Sequence, residues 1–251
     1  MEGSITVTGM VLSAQAIGET DKRVTILTAE NGKISAFAKG AKKPRSALVA
    51  ATNPFVFGDF EIFVGRSSMT VIRADIKNYF NEVSTDLESV YYGSYFLELA
   101  DYYTRENNDD KEVLKLLYTT IRALCHKGIP NKLIKLVYEY KMMVINGEYP
   151  GVFECMVCGS KDDPAGFSFV NNGIICRECS GSVRDFKALD TSTIYALQFI
   201  TNSPVEKLYT FTVNDTVLKE LERIVRHYIR QSVDIKLKSE EFLRDILEKP
   251  L

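Results

Sequence analysis

Polar and apolar residues alternate with a period of two through the first 78 residues, which is the spacing of half-buried β-strands. The second and third runs of alternation are separated by Asn31-Gly32, a dipeptide that predicts a type I′ hairpin. Five short strands in about eighty residues favour a small closed barrel such as an OB-fold. The predicted strands cover residues 5–12, 23–28, 33–39, 55–64 and 69–74.

From residue 84 onward the apolar positions recur every three or four residues, which is the spacing of amphipathic helices. Thr85 and Glu88 have the spacing of a capping box, and Asp190 and Asp215 are the predicted N-caps of two later helices. This part of the chain is therefore predicted to be α-helical. The helical patterns cover residues 85–100, 110–127, 133–144, 191–200 and 216–232.

Four of the five cysteines form two Cys-x2-Cys pairs with seventeen residues between the pairs. A Cys-x2-Cys step turns the chain so that both sulfurs face one point, and this spacing is typical of a zinc ribbon. Short antiparallel arms around Asn171-Asn172-Gly173 are predicted to bring the second pair back to the first. Because four cysteines fill a tetrahedral site, the predicted Zn²⁺ is structural, with two disulfides or an iron–sulfur cluster as alternatives. The predicted ligands are Cys155, Cys158, Cys176 and Cys179.

Together these patterns predict an α+β protein built from three parts. Residues 1–80 form the N-terminal five-stranded OB-fold barrel, and residues 81–150 and 183–251 form an α-helical domain. The four-cysteine zinc module, residues 151–182, is inserted into that helical domain.

The net charge of −2 does not indicate a strongly cationic nucleic-acid binder, but the charges are distributed unevenly. Residues 1–78 hold ten Lys or Arg and seven Asp or Glu, a net charge of +3, whereas residues 79–251 carry −5. Residues 31–58 contain five basic residues and no acid. Such a local excess is typical of a surface that contacts phosphates, and a solvated loop is the alternative.

One face of the predicted third strand combines lysines with an aromatic ring. A ring can stack on a base while lysines contact the phosphate backbone, so this face suits single-stranded nucleic acid. In the alternative interpretation Phe37 belongs to a second hydrophobic layer. Lys33, Ser35, Phe37 and Lys39 share this face, and Ile34, Ala36 and Ala38 share the other.

The last strong helical pattern carries a basic stripe opposite its apolar side. The stripe predicts either a solvated helix face or a docking surface for an acidic partner peptide or a second length of phosphate backbone. Its residues, at spacings of three and four, are Lys219, Arg223, Arg226 and Arg230.

Common catalytic motifs are absent from the sequence. His126 and His227 are the only histidines, and neither lies in an HExxH or H-x-E setting. The sequence also lacks the glycine-rich phosphate loop and the Gly-x-Ser-x-Gly elbow. Binding is therefore the predicted class of function rather than catalysis.

Neither a signal-peptide pattern nor an apolar run of about 20 residues is present, so no membrane association is expected. Without an export signal, paired cysteines in a reducing compartment favour metal over disulfides. The fifth cysteine, Cys125, lies in an apolar helical pattern and is predicted to be a buried small side chain.

Residues 23–44, RVTILTAENGKISAFAKGAKKP, resemble the signature hairpin of the RecO family of bacterial recombination mediators. The Pro54-Phe55 strand, the helical domain and the late four-cysteine module are also similar to this family. Asp245-Ile246-Leu247 lies near the end of the chain, where chains of this family usually finish. The resemblance covers essentially all 251 residues.

The resemblance implies a non-enzymatic DNA-repair protein of the bacterial cytoplasm, associated with the nucleoid. Such a protein binds single- and double-stranded DNA, anneals strands coated by single-strand-binding protein and, with RecR, helps to load RecA. The acidic C-terminal tail of single-strand-binding protein is expected on the helical domain, and the basic stripe of Lys219 to Arg230 is the candidate surface. The predicted DNA-binding residues are Lys22, Arg23, Lys33, Phe37, Lys39, Lys42, Lys43, Arg45, Arg66 and Arg73.

Two other functions are compatible with the residues alone. A zinc-stabilised adaptor in transcription or translation would bind proteins through its barrel and helices, and it would not anneal DNA. A hydrolase would require a metal site with an open coordination position.

Overall fold

The computed structural model describes residues 3–248 and the side chains of residues 3–243. Five N-terminal strands form a closed barrel in the order β1-β2-β3-β5-β4. Neighbouring strands are antiparallel except β3 and β5, in which Ala36 pairs in parallel with Met69 and Phe37 with Thr70. The predicted α+β fold with an N-terminal five-stranded, OB-like barrel is confirmed. The strands are β1 Gly3–Ile17, β2 Asp21–Thr28, β3 Gly32–Ala38, β4 Phe57–Val64 and β5 Met69–Asn78.

The inside of the barrel is filled by the apolar side chains of the alternating pattern. On β3 every second residue is buried, because successive side chains point to opposite faces of the sheet. Ala41 follows β3 and is also fully buried in this core. The buried core includes Val24, Ile26, Ile34, Ala36, Ala38, Phe60, Ile62 and Val71.

The β2–β3 hairpin is confirmed, but its predicted turn type is wrong. A type I′ turn needs positive φ at both central residues, and only Gly32 of the Asn31-Gly32 pair has it, with φ of +62°. Thr28 pairs with Gly32, so three residues connect the strands. A Cβ on Gly32 would lie 2.5 Å from the carbonyl oxygen of Arg105. Both the positive φ and this lack of space therefore favour glycine at position 32.

The second half of the described chain is mainly helical, as predicted. Two N-caps lie one residue from the predicted positions: the Asp86 side chain accepts from the Ser89 N–H, and the Asn214 side chain accepts from Val217. Asp190 caps the following helix as predicted. The helices are α1 Leu48–Ala51, α2 Leu87–Tyr103, α3 Lys111–Cys125, α4 Asn131–Ile145, α5 Arg177–Ser180, α6 Thr191–Asn202, α7 Asp215–Ser232 and α8 Lys238–Glu248, with 3-10 helices at Asn81–Thr85 and Val205–Lys207.

The contacts divide the chain into two compact units. The first unit contains residues 1–128 and 236–251, and the second contains residues 129–235. Helices α2, α3 and α8 therefore belong to the same unit as the barrel, whereas α4, α6 and α7 belong to the second unit with the cysteine module. Within residues 3–248, no helix combines the length and the apolar character needed to cross a membrane.

A three-stranded sheet in the second unit carries the cysteine module. Strands β6 (Pro164–Ser168) and β7 (Gly173–Cys176) form the predicted hairpin. Strand β8 (Lys187–Ala188) pairs with β6, so the sheet continues beyond residue 182. The Tyr228 hydroxyl donates to Asn172 Oδ1 at 2.6 Å, which joins α7 to the hairpin turn.

Candidate nucleic-acid interface and metal centre

Four side chains form a row across the outside of the barrel. Arg23 on β2 pairs with Phe37 on β3, and Phe37 pairs with Thr70 on β5. Thr70 pairs in turn with Phe63 on β4. Phe63 is 42% exposed and Phe37 is half-buried, so two aromatic rings flank one small polar side chain. We call Arg23, Phe37, Thr70 and Phe63 the outer row.

Phe63 was not among the residues that the sequence singled out. It follows the buried residues Phe60 and Ile62 on β4, and the alternation of that strand places it outside the barrel. The same rule that placed Phe37 on the outer face could therefore have identified Phe63.

The segment after β3, residues 40–46, is held in place by hydrogen bonds to the β1–β2 turn; we call it the basic loop. The Lys42 N–H donates to the Thr20 carbonyl at 2.8 Å, and the Gly40 N–H donates to Asp21 Oδ1 at 2.8 Å. The loop therefore presents its cations from a defined backbone. Lys42, Lys43 and Arg45 in the loop and Lys39 at its start are exposed.

Asp21 is the carboxylate that accepts the hydrogen bond from the start of the basic loop. The backbone N–H of Gly40 lowers the pKa of Asp21 most strongly, and the Thr20 hydroxyl acts in the same direction. Lys43 and Lys39 lower it further through their charges. Asp21 is thus ionised at neutral pH, and it offsets part of the positive charge while it fixes the loop.

Besides Lys42, whose ammonium group donates to the Gly18 carbonyl at 3.1 Å, two predicted DNA-binding lysines contact the protein itself. The Lys22 ammonium group donates to three oxygens of residues 49–53 at 3.0 to 3.2 Å, and burial lowers its pKa. The Lys33 ammonium group donates to the Asp101 carbonyl at 2.6 Å and lies 3.0 Å from the Asp101 carboxylate. Both lysines therefore anchor neighbouring segments of the first unit.

The three predicted arginines occupy different parts of the barrel surface. Arg23 is exposed, and its Nε donates to Ser35 Oγ at 2.8 Å, which orients the guanidinium along the outer face. Arg66 is exposed in the β4–β5 turn. Arg73 on β5 is exposed and pairs across the strands with Glu61. Arg23 thus lies in the outer row itself, and Arg66 lies at the end of β4 that bears Phe63.

The four paired cysteines converge on one point. Their sulfur atoms all lie within 4.8 Å of one another, and the Sγ atoms of Cys158 and Cys176 are 3.7 Å apart. A tetrahedron with Zn–S distances of about 2.3 Å has edges of about 3.8 Å, so the sulfurs fit such an ion. Cys155 and Cys176 are buried, Cys158 is exposed and Cys179 is half-buried, and no disulfide joins them.

The backbone around the cluster favours thiolate at its buried end. Burial opposes the ionisation of Cys155, but N–H groups of Cys176, Cys158 and Val157 outweigh burial and lower its pKa to about 6. Metal ligation requires thiolate, so these N–H groups support binding of a cation.

The predicted basic stripe on α7 lines one open groove of about 560 Å³. Phe169 from the β6–β7 turn and His227 form its aromatic part, with ring centroids 4.3 Å apart. Glu222 also lines the groove, but Lys132 Nζ lies 2.7 Å from its carboxylate and offsets that charge. All four basic residues of the stripe, Lys219, Arg223, Arg226 and Arg230, are exposed and line the groove.

Comparisons with known proteins identify the family. The profile described as "Recombination protein O N terminal" matches residues 1–80, and that described as "Recombination protein O C terminal" matches residues 84–241. The chain belongs to the RecO family. The resemblance of the sequence to this family is therefore confirmed.

Curated relatives named "DNA repair protein RecO" match almost the whole chain. The protein of Alkaliphilus metalliredigens is 30% identical, over 90% of this chain and 92% of its own length. That of Bacillus pumilus is 30% identical over 95% and 93%, and that of Acetivibrio thermocellus is 28% identical over 95% of both chains. These matches support a role in DNA repair and hence an interaction with DNA.

Proposed function

We propose that the chain is a non-enzymatic DNA-repair mediator that binds single- and double-stranded DNA on the barrel and anneals complementary strands. The observation that carries this proposal is the outer row beside the basic loop. Phe37 and exposed cations lie on the face formed by β2 and β3, which is the oligonucleotide-binding face of OB-folds, and Phe63 on β4 extends the same row.

In this mechanism the cations act through charge and the rings through stacking. Lys39, Lys42, Lys43 and Arg45 neutralise phosphates, while Phe37 and Phe63 stack on bases with little sequence selectivity, because every base has a π-face. Two strands held on one cationic surface repel each other less and meet at a higher effective concentration. Annealing then needs no covalent chemistry.

In the second unit, Zn²⁺ bound by Cys155, Cys158, Cys176 and Cys179 would brace the β6–β7–β8 sheet. The convergence of the four sulfurs supports this assignment. Four protein ligands leave no position for water or substrate, so the ion supplies cross-linking and no catalysis.

The proposal includes three protein partners that family membership suggests. The groove on α7 would take the acidic tail of single-strand-binding protein, since it combines four exposed cations with an aromatic wall. RecR would act with the protein to load RecA on coated strands. The site of action would be the bacterial nucleoid, in the cytoplasm.

A strand-annealing assay across a series of salt concentrations tests the proposal. The Lys42→Glu/Lys43→Glu variant is expected to anneal poorly, and the logarithm of the wild-type binding constant should fall by about 0.7 per phosphate contact with the logarithm of salt. Lys111→Glu/Lys127→Glu is the matched control, since it makes the same charge change at two exposed positions, the first residue of α3 and a residue just after that helix.

Equal annealing by the two charge variants, or a flat response to salt, would contradict the barrel mechanism. The alternative function, a zinc-stabilised protein adaptor, would be favoured by two results together. The wild type would not anneal strands, and binding of partner proteins would survive neutralisation of the basic loop. The assay is run with and without single-strand-binding protein to separate DNA binding from tail binding.

A further inference from the structure

A recess of about 370 Å³ lies beside the start of β3, whereas the basic loop follows the end of β3. Its floor is formed by residues of β2 and β3, and one wall is the β4–β5 turn, residues 64–69. Its volume is in the range of small-ligand pockets, which begins at about 300 Å³. We call this recess the end pocket.

The opposite wall closes the end pocket. The connection between α2 and α3 joins the β2–β3 hairpin as an added edge: the Lys33 N–H donates to the Arg105 carbonyl at 3.0 Å, and the Asn107 N–H donates to the Asn31 carbonyl at 3.1 Å. Gly32 forms a further bridge with Glu106. A strand that crosses the β2–β3 face from the basic loop therefore meets a wall made of hydrogen-bonded backbone.

The polar groups of the end pocket suit an anion. The Nε of Arg23 donates a hydrogen bond to Ser35. Within the described residues, no group accepts a hydrogen bond from the two terminal nitrogens of Arg23. The β4–β5 turn adds the hydroxyls of Ser67 and Ser68. The Gly65 N–H closes this turn by donating to the Ser68 carbonyl at 2.9 Å.

A terminal phosphate differs from an internal one in charge. As a monoester it carries about −1.5 to −2 at neutral pH, whereas an internal diester carries −1. The terminal nitrogens of Arg23 and the two serine hydroxyls favour the more highly charged group, because hydrogen bonds between ionised partners are the stronger ones. The Glu106 carboxylate also lines the pocket, where it repels an anion and can accept from a sugar hydroxyl or base amino group.

We propose that the end pocket binds the phosphorylated terminus of a single DNA strand whose next nucleotides lie on the outer row. An internal segment of a strand would have to leave the pocket at the place where residues 105–108 form the wall. A strand end needs no such exit, because the chain stops in the pocket. This inference rests on the proposed DNA binding by the barrel, and it adds that the protein distinguishes strand ends from strand interiors.

Competition between linear and circular oligonucleotides tests the inference. A short single strand labelled at an internal base is bound to the full-length protein, and unlabelled competitors of one sequence displace it. The competitors are a circle, a linear strand with a 5′ phosphate, one with a 3′ phosphate and one with two hydroxyl ends. A circle and a singly phosphorylated linear strand have equal numbers of phosphates, so the count of charged groups is matched.

At least one phosphorylated linear strand is expected to compete about tenfold better than the circle. In Ser67→Ala/Ser68→Ala, a change confined to an exposed turn, this ratio should fall toward one. Equal competition by circle and phosphorylated strands would overturn the end pocket, as would an unchanged ratio in the serine variant. If no oligonucleotide displaces the probe because none binds, the proposed DNA binding itself fails, which is a distinguishable result.

Discussion

At the scale of single residues, basic side chains in the barrel fall into two groups by what their charged groups contact. Lys22 and Lys33 each make several contacts with segments distant in sequence, at residues 49–53 and at Asp101. Lys43 and Arg45 are exposed on the basic loop. Both groups look alike in the sequence, since the partners of the first group come together only when the chain folds.

Phe63→Ala is expected to weaken binding of single-stranded DNA by about 1–3 kcal/mol, because a stacking ring is removed from the outer row. The salt dependence should not change, since no cation is lost. Fluorescence anisotropy titrations at several salt concentrations measure both quantities.

Ile72→Ala is the matched control for Phe63→Ala. Ile72 is 50% exposed on the neighbouring strand β5 and does not belong to the outer row. An equal loss of affinity in the two variants would contradict a stacking role for Phe63.

At the scale of elements, the alternation of the N-terminal segment was sufficient to predict five strands and the hairpin of residues 23–39. The turn type was wrong because it depends on the α2–α3 connection, which contacts Gly32 from about seventy residues away. The N-caps were displaced by one residue at Asp86 and Asn214, since neighbouring polar residues offer nearly equivalent caps.

Gly32→Ala is expected to destabilise the first unit by more than Gly18→Ala. Both glycines have left-handed φ, +62° and +56°, so an added Cβ strains both backbones by about 1–2 kcal/mol. At Gly32 the Cβ also meets the Arg105 carbonyl, whereas nothing lies within 4 Å at Gly18. The difference between the two variants in free energy of unfolding by urea measures the cost of the contact between the added Cβ and the Arg105 carbonyl. Equal destabilisation would show that the α2–α3 connection moves aside without cost.

Removal of the metal, or Cys155→Ser, is expected to loosen residues 150–188 and leave the barrel intact. In the proposed site, four ligands would cross-link the sheet next to a small buried cluster made of Cys155, Ile175 and Cys176. Hydrogen exchange measures the effect by segment.

Cys125→Ser provides the control for the cysteine chemistry, since Cys125 lies on α3 in the first unit. Chelation should change exchange in this variant as it does in the wild type. Identical exchange of residues 150–188 with and without chelator would contradict a structural metal.

At the scale of the whole molecule, the chain leaves the first unit after residue 128 and returns to it at residue 236. The sequence did not predict this division, because amphipathic spacing gives the apolar side of a helix and not the element that covers it. The return is fixed by Glu98 on α2, whose carboxylate accepts from the N–H groups of Lys238 and Ser239 at 3.0 and 2.8 Å and from the Ser239 hydroxyl.

Glu98→Gln is expected to destabilise the attachment of α8 by about 1–3 kcal/mol, because the amide offers one acceptor oxygen where the carboxylate offers two. Hydrogen exchange should rise in α2 and α8 and stay unchanged in residues 129–235. Glu88→Gln, an exposed change on the same helix, serves as the control. Faster exchange throughout both units would show that α8 supports the entire chain.

The late return of the chain has a consequence for biosynthesis. A ribosome makes residues 129–235 as one uninterrupted stretch, and this unit has all its own contacts before α8 is made. The barrel unit, although its strands are translated first, acquires α8 only after the second unit has been made. A nascent chain stalled just before residue 236 would therefore expose the surface of α2 that α8 covers, including the Tyr91 ring on which Phe242 stacks.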